Sequence, residues 1–146
     1  MPRDFLLAAL DGGGHAPPML DVARALAARG HGVRVLAQEA LRDDVEAAGA
    51  EYVAWRAAPL ARRSDGAPTN VRDDLICGPA AAFAADTRAA IRERRPDVVA
   101  SDHMLPGVLI GAEAEGVARA GVAMTFLFLP EWGVPAMGMG LAPGMR

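Results

Sequence analysis

The feature that most constrains this chain is the run Phe5 to Leu10, six apolar residues in succession that stop at Asp11-Gly12-Gly13-Gly14. A strand with no polar alternation has no face to offer water, so it belongs inside a sheet covered on both sides. The next stretch has the period of a helix. Met19, Val22, Ala23, Leu26 and Ala27 fall on one face between Met19 and Arg29. Pro17 and Pro18 stand at the entrance, where missing N–H groups cost nothing, and Gly30 stands where a helix ends. The pattern then repeats: Val33 to Ala37 as a second strand, Leu41 to Ala48 as a helix closed by Gly49, and Glu51 to Ala54 as a third strand.

Beyond it, Arg56 to Asn70 lacks periodicity and collects Pro59, Gly66 and Pro68, so it reads as a mobile surface loop. A helix is expected from about Arg72 or Pro79 to Arg95, a fourth strand over Asp97 to Ser101, a helix from about Pro106 to Ala120 and a fifth strand over Val122 to Leu127. The remainder carries Pro130, Gly133, Pro135, Gly138, Gly140, Pro143 and Gly144 and is not expected to continue regular structure. Strands alternating with helices at this spacing imply a parallel sheet, because each parallel crossover needs a helix and is almost always right-handed. The expected class is α/β, a Rossmann-like parallel β-sheet with helices on both faces, formed as one domain over residues 1–146.

Composition excludes some functions. A net charge of -3 with scattered basic residues offers no stripe for a polyanion, so nucleic acid is not an expected partner. Every basic residue is Arg, which carries no mechanism. The lone Cys77 cannot form an internal disulfide, and its apolar neighbours Leu75 and Ile76 suggest a small buried side chain. The apolar run near the start is too short for a signal peptide or a membrane span, which points to a cytoplasmic protein without stable membrane insertion.

In a parallel α/β sheet ligands bind beyond the carboxyl ends of the strands, so the loops after strands one and four matter most. They hold His15 and Asp102. Gly12, Gly13 and Gly14 form a glycine loop that lets another molecule approach the backbone. Gly12 and Gly14 satisfy two positions of a dinucleotide fingerprint, but the third would fall on Pro17, which argues against NAD or FAD. The other reading uses His15, placed just before a helix start. The positive end of a helix disfavours an imidazolium and so favours the neutral ring that a general base requires. A plain turn or cap role for His15 is the alternative, as is an N-cap or loop ion pair for Asp102.

These residues carry a family resemblance. Gly14-His15 with Pro18, Arg29-Gly30-His31-Gly32-Val33-Arg34-Val35, Gly49-Ala50-Glu51-Tyr52, Arg95-Pro96-Asp97-Val98-Val99 and Gly121-Val122-Ala123 succeed one another as in the GT-B glycosyltransferases that use nucleotide sugars to decorate natural products. The resemblance covers essentially the whole chain and implies the N-terminal, acceptor-binding half. It further implies that His15 deprotonates the acceptor hydroxyl, that Asp102 holds the imidazole, and that the sugar is transferred with inversion. No metal or other cofactor is implied, the nucleotide-diphosphate sugar being a substrate. Neighbouring His103 is a rival or an acceptor contact, and His31 reads as a solvated turn residue.

For the acceptor, a small hydrophobic natural product, the candidate contacts are Phe83, Met104, Trp132, Met137 and Met139, with Leu105 and Phe128 also available. Core packing is the alternative for Phe83 and Phe128. The donor-binding C-terminal domain of such an enzyme is missing from these 146 residues, so the chain alone is expected to be inactive. Two other readings stay open: half of a peptidoglycan-type transferase with a lipid acceptor, and a non-catalytic helper module derived from a transferase.

Overall fold

The computed structural model describes residues 1–11, 14–58 and 76–123. They form five parallel strands, β1 (Asp4–Ala8), β2 (Gly32–Ala37), β3 (Glu51–Ala54), β4 (Val98–Asp102) and β5 (Ala118–Val122), in the order β3-β2-β1-β4-β5. Between them run α1 (Ala16–Ala27), α2 (Arg42–Ala47) with a short helical turn before it, α3 (Ala80–Glu93) and α4 (Pro106–Ala114). This is the α/β class expected, with β1 in the middle and buried from Leu6 to Ala9.

Alternate strand residues sort the core into two layers. Leu7, Ala9, Val33 and Val35 pack with Met19, Leu20, Ala23 and Val45 of α1 and α2. Leu6, Ala8, Leu36 and Val99 pack with Phe83, Ile91, Val108 and Ala112 on the α3 and α4 side. On that second side α4 approaches α3 through Gly107 and Gly111. A Cβ on Gly107 would lie 2.1 Å from the Ala80 carbonyl oxygen, and one on Gly111 would lie 2.8 Å from that of Ala84. The two glycines are what allow this approach.

Three of the helices close in the same way. Gly30 (φ +80), Gly49 (φ +77) and Gly116 (φ +63) take the left-handed conformation. In each case the glycine N–H and the next N–H turn back onto the last carbonyls, as in His31 N–H to Leu26 O at 3.2 Å and Val117 N–H to Ala112 O at 3.0 Å. Gly116 corrects the expected boundaries. The helix begun at Pro106 stops at Ala114 instead of Ala120, and β5 occupies Ala118–Val122, beginning before the expected Val122; positions 124–127 of the expected strand lie outside the described residues. The apolar run after Val122 drew the strand too late, while the glycine that ends α4 carried the correct signal.

Two smaller expectations also change. Cys77 is exposed, because it lies in the turn before α3 and not on its packed face. His31 is only partly exposed: its Nδ1 accepts the Arg3 N–H at 3.2 Å and its ring meets Phe5 edge-on at 5.3 Å.

Arg34 sits 3% exposed in the middle of what reads as an apolar strand. Its guanidinium donates to the carbonyl of Ala90, at 3.1 Å, which also accepts the Arg94 N–H at the end of α3, and to the Arg94 carbonyl just beyond the helix. Burial, with Arg94 close by, holds its pKa below the ordinary arginine value. Nearby, Arg88 and Arg92 of α3 both reach Glu115 at 2.7 Å, and those hydrogen bonds lower the Glu115 carboxyl pKa below its ordinary value. No helix among the described residues is long and apolar enough to cross a membrane.

Candidate functional site

In the order β3-β2-β1-β4-β5 the chain's path across the sheet reverses between β1 and β4. The two strands pair Leu7 with Ala100 and Ala8 with Ser101, so their carboxyl ends finish side by side. Loops that leave in opposite directions from such a point open a crevice, the usual ligand position in a parallel α/β sheet. The residues delivered there are His15 and Asp102.

Gly14, with φ +86, turns the chain from β1 into α1. His15 then occupies the helix entrance in helical conformation, and its side chain makes no capping bond to α1. Its Nδ1 instead lies 2.5 Å from Oδ2 of Asp102, across 87 positions of sequence. Asp102 is the last residue of β4 and is 0% exposed, while the His15 side chain keeps 18% of its surface. The second carboxylate oxygen, Oδ1, accepts the Met104 N–H at 2.9 Å and lies 3.0 Å from Nδ1 of His103.

A carboxylate can only accept, so the His15 Nδ1–H donates to Oδ2 and the neutral ring carries its lone pair on Nε2. The pair can therefore take a proton from a hydroxyl at Nε2 and balance the resulting imidazolium with a charge already in place. The helix end contributes less than its position suggests. Pro17 and Pro18 stand in the first turn of α1 and have no N–H, so two of the usual free donors are absent. Among the described groups at the ring, Asp102 is the charged partner that orients it.

The other named candidates fall in different places. Phe83 is 3% exposed, with its ring edge-on to Trp55 at 4.9 Å in the second core layer, and Leu105 is fully buried in the same layer. Met104 is partly exposed next to Asp102. Gly12, Gly13, Phe128, Trp132, Met137 and Met139 lie outside the described residues.

Sequence reasoning passed over Asp86. Its carboxylate, buried on α3, accepts the backbone N–H groups of Arg56, Ala57 and Ala58 at 2.9 to 3.0 Å. The start of the segment read as a mobile loop is thereby tied to α3 at the carboxyl end of β3; positions 59–70 lie outside the described residues. A signal was available: Asp86 falls at helical spacing with Phe83, Ala90 and Ile91, an acid inside an apolar stripe.

No protein-family model matches the chain. It is 28% identical to 4'-demethylrebeccamycin synthase of Lentzea aerocolonigenes over 98% of its own length and 37% of that enzyme's. Among solved structures, the glycotransferase of kitacinnamycin superposes on 87% of the chain with a TM-score of 0.73 and 25% identity. CalG4, the calicheamicin glycosyltransferase, superposes on 82% with a TM-score of 0.68 and, at 22% identity, speaks for the fold alone. The chain spans about a third of the length of each of these proteins.

Proposed function

We propose that this chain, a GT-B glycosyltransferase-like fragment in sequence and fold, forms the acceptor-binding, N-terminal half of a transferase that moves a sugar from a nucleoside diphosphate to a hydroxyl group. The observation that carries the reading is the 2.5 Å contact between His15 and a fully buried Asp102 at the reversal point of the sheet. In the proposed reaction Nε2 of His15 removes the hydroxyl proton as the acceptor oxygen attacks the anomeric carbon. The bond from that carbon to the diphosphate breaks with inversion, and the nucleoside diphosphate leaves with the electron pair. Asp102 supports the imidazolium until the proton is lost.

The donor site belongs, in this reading, to the portion of the relatives that the chain does not span, and the chain alone is inactive. The leaving diphosphate is neutralised there by helix N-terminal N–H groups without a metal. The acceptor is a small hydrophobic natural product, a class supported by the names of the relatives and by the adaptable Met104 beside Asp102.

The test is turnover by an enzyme in which this chain is joined to its donor-binding domain. His15→Ala should lower kcat by about 10²-fold or more, the range of positioned general bases, with Asp102→Asn less severe. Near-normal turnover by a folded His15→Ala enzyme would remove His15 as the base.

A further inference from the structure

We propose that Asp102 is shared by two imidazoles, and that His103 is a positioning residue that competes with His15 for that carboxylate. Its consequence for catalysis rests on the reading of His15 as the base, while the sharing itself is a property of this chain.

Asp102 turns Oδ2 to Nδ1 of His15 at 2.5 Å and Oδ1 to Nδ1 of His103 at 3.0 Å. The two rings are 6.4 Å apart between centroids and tilted by 47°. Both side chains are largely buried, His15 at 18% and His103 at 20% exposure, with Asp102 at 0% between them. The backbone fixes the arrangement from two sides. The His103 N–H donates to the Val122 carbonyl of β5 at 3.1 Å, and the Met104 N–H donates to Oδ1 at 2.9 Å.

The Val122 carbonyl and Oδ1 of Asp102 both lie within reach of the His103 Nδ1. The Val122 carbonyl lies 3.4 Å from that nitrogen, a long hydrogen bond, while Oδ1 at 3.0 Å becomes an ion-pair partner when the ring carries a proton. One carboxylate balances one imidazolium. A second proton, on whichever ring, leaves an uncompensated positive charge among buried groups, so each protonation opposes the other. Among the described residues, the other charged groups on the surrounding elements include Asp11 after β1, Asp21 and Arg24 on α1, Asp86, Arg88, Arg92 and Glu93 on α3, and Glu113 and Arg119 on α4 and β5; Arg88 and Arg92 are held by Glu115. Asp21 pairs with Arg24 at 2.5 Å, Glu113 pairs with Arg119 at 3.0 Å, and Asp86 is committed to backbone N–H groups. A proton on His103 thus resists protonation of His15 and also draws away the carboxylate that would support the His15 imidazolium.

The decisive experiment tracks the imidazole resonances of this chain by NMR across pH, in the wild type, in His103→Asn and in His15→Asn. His31, at the opposite end of the sheet, serves as an internal control. In the wild type the titration midpoints of His15 and His103 should sum to less than the midpoints of His15 in His103→Asn and His103 in His15→Asn, with His31 unmoved. Equal sums would overturn the shared carboxylate. His103→Phe, which keeps a ring in place, supplies the same comparison should the Asn variant fail to fold. No substrate is involved, so opposed titrations alongside an active His15→Ala enzyme would keep the sharing and discard the base.

Discussion

The two faces of the sheet are built on different terms. Apart from Asp102 and its bond to His15 at the carboxyl end of β4, the face covered by α1 and α2 is filled by aliphatic side chains, Leu7, Met19, Leu20, Val33, Val35 and Val45 among them. The face covered by α3 and α4 has an apolar layer of similar kind, but set into it are the buried Arg34, Asp86 and Thr87 and the glycine contacts of Gly107 and Gly111. Aliphatic layers ask only for volume and pattern, and they tolerate exchange. Buried polar groups and backbone-to-backbone contacts ask for particular atoms in particular places. One face is specified by hydrophobicity and the other by geometry, and substitutions should separate them.

The largest effect is expected at the α3–α4 contact. Gly107→Ala places a methyl group 2.1 Å from the Ala80 carbonyl oxygen and 2.9 Å from its Cα, backbone atoms that yield only if a helix moves. The variant should lose about 3 kcal/mol or more in denaturant unfolding, at the upper end of overpacking costs. A wild-type midpoint in that variant would mean that the helices slide apart freely, and the comparison would fail.

Arg34→Met comes next. It keeps much of the aliphatic stem but takes the guanidinium from the Arg94 carbonyl, while Ala90 keeps only the Arg94 N–H. A loss of about 2 kcal/mol is expected from uncovering buried acceptors, measured in the same way. The smallest effect belongs to the other face. Met19→Leu is a volume-conserving change at a fully buried position and should cost under about 1.5 kcal/mol. If Met19→Leu proved as damaging as Arg34→Met, the α1 face too would be fixed by shape rather than by pattern.

The same contrast explains what could be read in advance. Periodicity and glycine punctuation located β1, α1, β2, α2 and β3 to within a few residues, because that half is built from hydrophobic alternation and closed by Gly30 and Gly49. The rest was less legible where a residue acts through a distant partner. Arg34 looks like an interruption of a strand until the end of α3 is laid beside it, and Asp86 looks like a surface acid until the backbone of Arg56 to Ala58 is seen to close on it. The start of β5 at Ala118 was missed because the apolar run after Val122 outweighed Gly116, which closes α4. At the site, the strand–loop–helix reading brought His15 and Asp102 to the same end of the sheet. It could not supply the 2.5 Å contact, nor the approach of His103 to the other carboxylate oxygen.

The pairing of β1 with β4 has a consequence for proofreading of the fold. A parallel strand that slips by one residue turns each of its side chains to the opposite face. Slipped in this way, β4 would carry Asp102 out of the layer shared with Ala100 and α1, into the layer occupied by Val99, Phe83 and Val108, and would leave His15 without its carboxylate. A misaligned chain could keep its helices and much of its burial while losing the chemistry altogether. Proton exchange at the His15 ring would then report register, a property that helix content measured by circular dichroism does not sense.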